Sequence, residues 1–352
     1  MMKRWEAAVP GIDALRLADA PRPKPKAHEA LVRVSAVSLN YRDLRMLDGG
    51  FGAIANGWPQ YPGTDMSGEV VAVGAAVSRI SPGDRVVSVD ISEWVDGPAP
   101  QPGTNSMPYL GRLAEYAAVP ADLLVTAPAN LDPISASTLP VAGLTAWFAV
   151  VELGKVRAGQ TVVVQGTGGV SLFAVQFAAA HGANVIVISS HPEKLERAKA
   201  LGATHGVNRS LIPDWHLSVL EFTDGIGADH VLEMAGGDIT RSLNSIAMGG
   251  RISIIGLLAD DEIRAPIGLI LFKRALLAGI GVGHRRAMKE MIRGIDQLGI
   301  APVIDAIYPF DQVPAAFAHL NRGAFGKIVV SVGTRVPASS TRIRGHDSLM
   351  GL

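Results

Sequence analysis

The apolar run Thr161-Val162-Val163-Val164-Gln165 stops at Gly166-Thr167-Gly168-Gly169-Val170-Ser171, and a helical stretch follows over residues 170–181. A short apolar run suits a buried parallel strand. Glycines between a strand and a helix allow a tight turn. They also let backbone N–H groups approach a pyrophosphate, while the helix N-terminus adds donors and a favourable dipole. A glycine cluster alone is weak evidence, because a turn without a ligand uses the same residues. Here the strand before, the helix after and a second apolar run at 185–188 all fit a dinucleotide site. Ser171 stands where the usual third glycine would be, a small replacement that need not block binding.

The end of the second strand selects the dinucleotide. An NAD site usually places a carboxylate about 20 positions on, against the ribose 2′-hydroxyl. The residues there are Ser189-Ser190-His191-Pro192, with Lys194 just beyond and Arg209 after a third strand. Hydroxyls and cations suit a 2′-phosphate, which a carboxylate would repel. NADP(H) is the expected cofactor. Ser189 and Ser190 also read as a helix N-cap, with Pro192 in the first turn. Lys194 and Arg209 each have an alternative as solvated surface charges.

These residues need a scaffold. The chain has 352 residues, enough for about two domains. Hydrophobic residues at 48% against 18% charged exclude disorder over most of the length. Lys and Arg balance Asp and Glu at 32 each, which argues against a nucleic-acid partner. There is no cysteine, so disulfides, thiolate nucleophiles and cysteine-held zinc are excluded. A reducing cytoplasm is compatible with that. Residues 1–6 lack the apolar run of a signal peptide, and the uncharged stretch 133–151 reads as a buried helix rather than a membrane span.

Residues 1–125 read as strand and turn, with strands at 31–34, 68–74 and 85–89 and a Pro/Gly-rich loop at 97–108. From 128 strands and helices alternate. Further strands are expected at 230–232, 251–255 and 276–282, and a helix at 193–201. Such alternation indicates a parallel sheet with helices on both faces. Residues 303–332 return to strand, short helix, strand, and 334–352 read as a loose tail.

Further motifs accompany the glycine turn in order. They are Asn40-Tyr41-Arg42-Asp43, Pro62-Gly63-Thr64-Asp65-Met66-Ser67-Gly68-Glu69-Val70, Gly83-Asp84-Arg85-Val86, Leu139-Pro140-Val141-Ala142-Gly143-Leu144-Thr145-Ala146-Trp147, Lys199-Ala200-Leu201-Gly202-Ala203, Gly249-Gly250-Arg251-Ile252 and Phe325-Gly326-Lys327-Ile328-Val329. With them the chain, over about residues 5–333, resembles the medium-chain dehydrogenase/reductase superfamily, in its zinc-free, quinone-oxidoreductase-like branch. The resemblance implies an α/β protein: a GroES-like β-rich catalytic domain plus a doubly wound parallel-sheet Rossmann domain. It assigns 1–127 to the first, 128–297 to the second and 298–333 to a return segment completing the first, with the active site in the cleft between them. It also implies a homodimer whose cofactor domains pair edge to edge, the apolar segment 275–282 supplying the edge strand.

Zinc members hold their catalytic metal with Cys, His and Cys. The matching positions here are Asn40, Thr64 and Val141, and none of the nine histidines has a neighbour at close motif spacing. Valine cannot ligate zinc, and Asn and Thr are poor ligands. No zinc is expected. The oxygen that gains charge during hydride transfer must then be stabilised by donors such as the Asn40 amide, the Thr64 hydroxyl and Tyr41. Asn40 also reads as a turn residue and Thr64 as packing beside Gly63. By resemblance Thr145 packs near the nicotinamide, and Ile255 and Gly256 complete the cofactor contacts. Phe51 stands about where related reductases carry a tyrosine. Asp43 reads as structural, and Trp94, Tyr109 and Trp147 read equally as pocket wall or core.

The expected activity is a zinc-independent transfer of hydride from NADPH to a quinone, enone or activated carbonyl, with small molecules as substrates and no membrane or nucleic-acid partner. A non-catalytic NADPH-binding protein and a pathway-specific alcohol or carbonyl dehydrogenase are the alternatives.

Overall fold

A computed structural model describes residues 1–50, 60–91, 93–100, 111–260 and 262–333. Phe51, Tyr109, most of the 97–108 loop and the expected tail lie outside the described residues.

The N-terminal part begins with an antiparallel hairpin, β1 (Met2–Ala7) with β2 (Leu15–Ala20), which the sequence reading passes over. β3 (Glu29–Leu39), β4 (Ser67–Val73), β5 (Arg85–Ser88), β6 (Tyr116–Pro120) and β7 (Leu124–Thr126) then build an antiparallel sheet.

Six parallel strands follow: β8 (Thr161–Gln165), β9 (Asn184–Ser189), β10 (His205–Asn208), β11 (Ala228–Glu233), β13 (Ile246–Ile254) and β15 (Leu276–Gly279). Two-residue strands β12 (Gly237–Asp238) and β14 (Ile263–Arg264) pair with each other. The order across the large sheet is β10-β9-β8-β11-β13-β15, the doubly wound arrangement, with β15 at one edge. The last strand is shorter than the expected 276–282 because pairing with β13 stops at Gly279.

Period two along β8 explains why both faces are covered. Val162 and Val164 face the larger core, which also holds Phe173 and Phe177 of the helix Gly169–Ala180. Val163 faces a second core with Ile186, Val231 and Ile252. Residues 139–152 are helical, wide-turned at both ends and almost wholly buried, and no described helix is long and apolar enough to cross a membrane. The helix Arg285–Leu298 also escapes the sequence reading. Its buried Ala287, Met288, Met291, Ile292 and Ile295 form one stripe, and Gly299 ends it in the left-handed conformation.

The chain then returns. β16 (Ile304–Pro309) and β17 (Lys327–Ser331) join the first sheet, β17 antiparallel to β3. At its start β17 also touches the other sheet's glycine turn: Gly326 N–H donates to Thr167 O at 3.0 Å. This contact is one of those that hold the two sheets around one cleft.

Candidate active site

The direction of winding reverses between β8 and β11, where open parallel sheets leave a crevice at their carboxyl ends. A cleft of about 670 Å³ lies there, bounded by the glycine turn, the ends of β9 and β11, Asn40, Tyr41 and Lys327. That size suits a small-molecule ligand.

The glycines of the turn have different reasons to be glycine. Gly166 has φ 75°, a left-handed conformation, and its N–H donates to Ile188 O at 2.7 Å. Gly169 has no room: a Cβ would lie 2.5 Å from Lys327 Cδ. Gly168 has an ordinary backbone, φ −79° and ψ −176°, and a Cβ there would meet no protein atom within 4 Å. Neither strain nor packing excludes a side chain at Gly168. What it leaves room for lies in the cleft, as the close approach of a pyrophosphate requires. Ser171 has a structural task, its hydroxyl donating to Gln165 O at 2.8 Å.

Beyond the turn the cleft wall holds Ser189, Ser190, His191, Lys194 and Arg209. The Ser189 hydroxyl accepts the His191 N–H at 3.3 Å, and Ser190 Oγ lies 2.9 Å from His191 Nδ1. Lys194 Nζ donates to Gly323 O at 3.3 Å. His191 and Arg241 also face the cleft and were not singled out from the sequence. No carboxylate stands at the end of β9. Glu233, at the end of β11, is occupied: Gln165 Nε2, Ser242 Oγ and the Ala235 N–H all donate to it.

At the other end of the cleft a short helix, Tyr41–Leu47, starts from Asn40. Asp43 reaches back to accept the Asn40 N–H at 2.8 Å, a turn-closing contact that fixes Asn40 at the end of β3. Thr64 donates its hydroxyl to Asp43 Oδ1 at 2.8 Å. Thr64 therefore has no hydrogen left for a substrate, and it accepts from Asn40 Nδ2 at 3.4 Å instead. Burial pushes the Asp43 carboxyl above the usual range, against the pull of Arg42.

The residue that completes this group is Lys327, buried beneath Gly169. Its ammonium donates to Asn40 Oδ1 at 2.6 Å and Leu39 O at 2.7 Å, and faces Asp65 Oδ2 at 3.5 Å. Burial holds this ammonium below the usual lysine range, while Asp65 and Asp43 draw it back up. Lys327 stood inside a recognised motif, yet a lysine before Ile328-Val329-Val330 reads only as the start of a strand.

The structure therefore brings Asn40, Tyr41, residues 166–170, Ser189, Ser190, Lys194 and Arg209 together in one cleft. Thr64, Thr145, Ile255 and Gly256 do not line it. Gly256 packs on Met234, where a Cβ would lie 2.0 Å from the carbonyl oxygen. Trp94 and Trp147 belong to the core, edge-on to Phe148 and Phe177 respectively.

Two family models match the chain: an alcohol dehydrogenase GroES-like domain over residues 26–129 and a zinc-binding dehydrogenase domain over 169–297. A zinc-type alcohol dehydrogenase-like protein of Schizosaccharomyces pombe is 38% identical over 92% of this chain and 97% of its own. The chain belongs to the medium-chain dehydrogenase/reductase superfamily. Other medium-chain relatives include a quinone oxidoreductase-like protein 2 homolog of Nematostella vectensis, 32% identical over 78% of this chain and 73% of its own. An NADPH-dependent alkenal/one oxidoreductase of Arabidopsis thaliana is 29% identical over 94% and 79%. Among solved structures, a Sinorhizobium meliloti protein provisionally assigned as an alcohol dehydrogenase superposes with a TM-score of 0.89, at 49% identity over 94% of this chain and 98% of its own. An NAD-dependent alcohol dehydrogenase superposes at 0.83, with 32% identity over 95% and 100%.

As a medium-chain dehydrogenase/reductase the protein is an oxidoreductase that uses a nicotinamide cofactor, and the cradle at Gly168 fits one. The zinc of the matched family name fits less well. Asn40 Oδ1 is already held by an ammonium, the Thr64 hydroxyl is bonded to Asp43, and Val141 packs on the core. A fixed positive charge in that place disfavours a dication. No group of three or more His, Asp or Glu able to hold a metal occurs among the described residues.

Proposed function

We propose that this chain is a zinc-independent reductase that uses NADPH to reduce a quinone, enone or activated carbonyl. The observation that carries the reading is the Asn40 amide, which lines the cleft while its oxygen is tied to Lys327. It can offer the cleft only an N–H. Bound NADPH supplies the hydride. The Asn40 N–H, at the cleft, would stabilise the acceptor's oxygen as charge develops there. Quinones and enones delocalise that charge, so one neutral donor suffices. A simple alcohol needs strong help in losing its proton, which this site lacks. The test is steady-state NADPH oxidation against quinones, enones and aldehydes, with NADP+ reduction measured against simple alcohols. Turnover confined to simple alcohols, or turnover of none of the four classes, would refute the reading.

Zinc independence has its own measurement. The purified protein should hold well under one zinc per chain, and a chelator should leave quinone turnover unchanged. One tightly held zinc per chain, lost together with activity, would overturn it.

The choice of NADPH rests on Ser189, Ser190, Lys194 and Arg209. Each charge-assisted bond to a 2′-phosphate contributes about 1.5–3 kcal/mol, less where solvent screens it. Arg209→Ala should weaken NADPH about tenfold and leave NADH nearly unchanged. Ser189→Asp should repel the 2′-phosphate and give the NADH 2′-hydroxyl an acceptor. Fluorescence titrations with both cofactors decide this. Equal wild-type affinities, or an Arg209→Ala variant that weakens both alike, would reassign the pocket.

The reading extends to a homodimer in a reducing, cytoplasmic setting. Among the described residues β15 pairs only with β13, and Leu276 and Leu277 are exposed along it, as are Leu271 and Phe272 of the helix Ile267–Lys273. An apolar edge of this kind calls for a partner, and a second copy offers the same strand. Sedimentation at micromolar concentration should give the mass of two chains; the mass of one counts against it.

A further inference from the structure

We infer that Lys327 is a positioning residue for hydride transfer: its ammonium locks the Asn40 amide so that an N–H, never the carbonyl oxygen, faces the substrate. The inference rests on the proposed reductase reading and adds the residue that makes Asn40 a donor.

An asparagine amide has two similar ends, and only its hydrogen bonds decide which one faces a ligand. Here every contact agrees. Lys327 Nζ lies 2.6 Å from Asn40 Oδ1, and an ammonium cannot accept from an NH2 group. On the other side Thr64 Oγ1 has spent its hydrogen on Asp43, so it can only receive from Asn40 Nδ2. Asp43 also holds the Asn40 backbone through the N–H. A flipped amide would set NH2 against NH3⁺ and oxygen against oxygen.

Lys327 is itself held in one place. Leu39 O and Asp65 take its other directions, and the missing Cβ of Gly169 makes room for its stem. The residue thus crosses from the return strand, under the nucleotide turn, to the substrate end of the cleft.

The test uses the full-length protein. Lys327→Met is made together with Asp65→Asn, so that no buried carboxylate is stranded, and Asp65→Asn alone is the reference. The same change is repeated with Asn40→Ala present. Loss of Lys327 should lower kcat for the quinone about 10²-fold, with the NADPH Kd within threefold. In the Asn40→Ala background the same loss should cost less than threefold, because the residue acts through Asn40. A similar loss in both backgrounds would overturn the inference. A raised NADPH Kd with kcat unchanged would do so too, and would assign Lys327 to the cofactor's phosphates. An arm without turnover separates this inference from the reductase reading. Side-chain amide signals of [15N]asparagine, with that of Asn40 assigned by its loss in Asn40→Ala, should show two separate, slowly exchanging protons in the reference. They should exchange with solvent at least tenfold faster without Lys327. Unchanged signals would refute the lock, whatever the protein reduces.

Discussion

Gly168→Val should leave the protein folded and remove its nucleotide affinity. The backbone at 168 is extended, which valine tolerates well, and the new Cβ meets no protein atom within 4 Å. The expected change in melting temperature is therefore small. The branched side chain would instead stand where the pyrophosphate meets the turn. A loss of about 10²-fold in NADPH affinity, about 2.7 kcal/mol, is expected. The neighbouring Gly169→Ala is the contrast, because its Cβ collides with the Lys327 stem at 2.5 Å. That variant should lose stability of about 1–3 kcal/mol, as overpacked sites do. Thermal melting and fluorescence titration separate the two effects. NADPH bound within threefold of wild type by Gly168→Val would mean that this turn does not cradle the phosphates.

The nucleotide end of the cleft was legible because its signals are local. Thr161 to Ser171 carries strand, turn and helix start in one run, and Ser189 follows at the spacing the fold dictates. Period two and period 3.6 then give the sheet and its helices. The substrate end was not legible in the same way. Asn40 meets Lys327 from 287 positions away, and Thr64 loses its hydrogen to Asp43 from 21 positions away. Nothing in either neighbourhood announces those contacts. A threonine beside a glycine reads as a donor or as packing until its partner is placed. The helix Arg285–Leu298 had a local signal in its apolar stripe, whereas β1 and β2 hold their places through pairing with each other.

Asp65→Leu should be among the most destabilising single changes in the chain. Three carboxylates, Asp43, Asp65 and Asp90, and three cations, Arg42, Arg112 and Lys327, gather around the end of β3. All six are buried or nearly so. Asp65 is wholly buried, accepts from Ser38 Oγ at 2.7 Å and faces the Lys327 ammonium. Removing it strands an ammonium in a site that already disfavours charge, and leaves Ser38 without its acceptor. Breaking a buried pair from one side costs about 3–5 kcal/mol, roughly 6–20 °C in melting temperature for a domain of this size. Replacing both partners with apolar side chains is often nearly neutral. Asp65→Leu combined with Lys327→Met should therefore recover much of the loss, although it abolishes the Asn40 lock and stays slow. A melting-temperature cycle over the four proteins measures the coupling directly. Additive losses in the double variant, or an Asp65→Leu cost below 1 kcal/mol, would show that Lys327 does not depend on this carboxylate. Recovered stability without recovered turnover would instead separate the two tasks of Lys327, balancing a buried charge and orienting an amide.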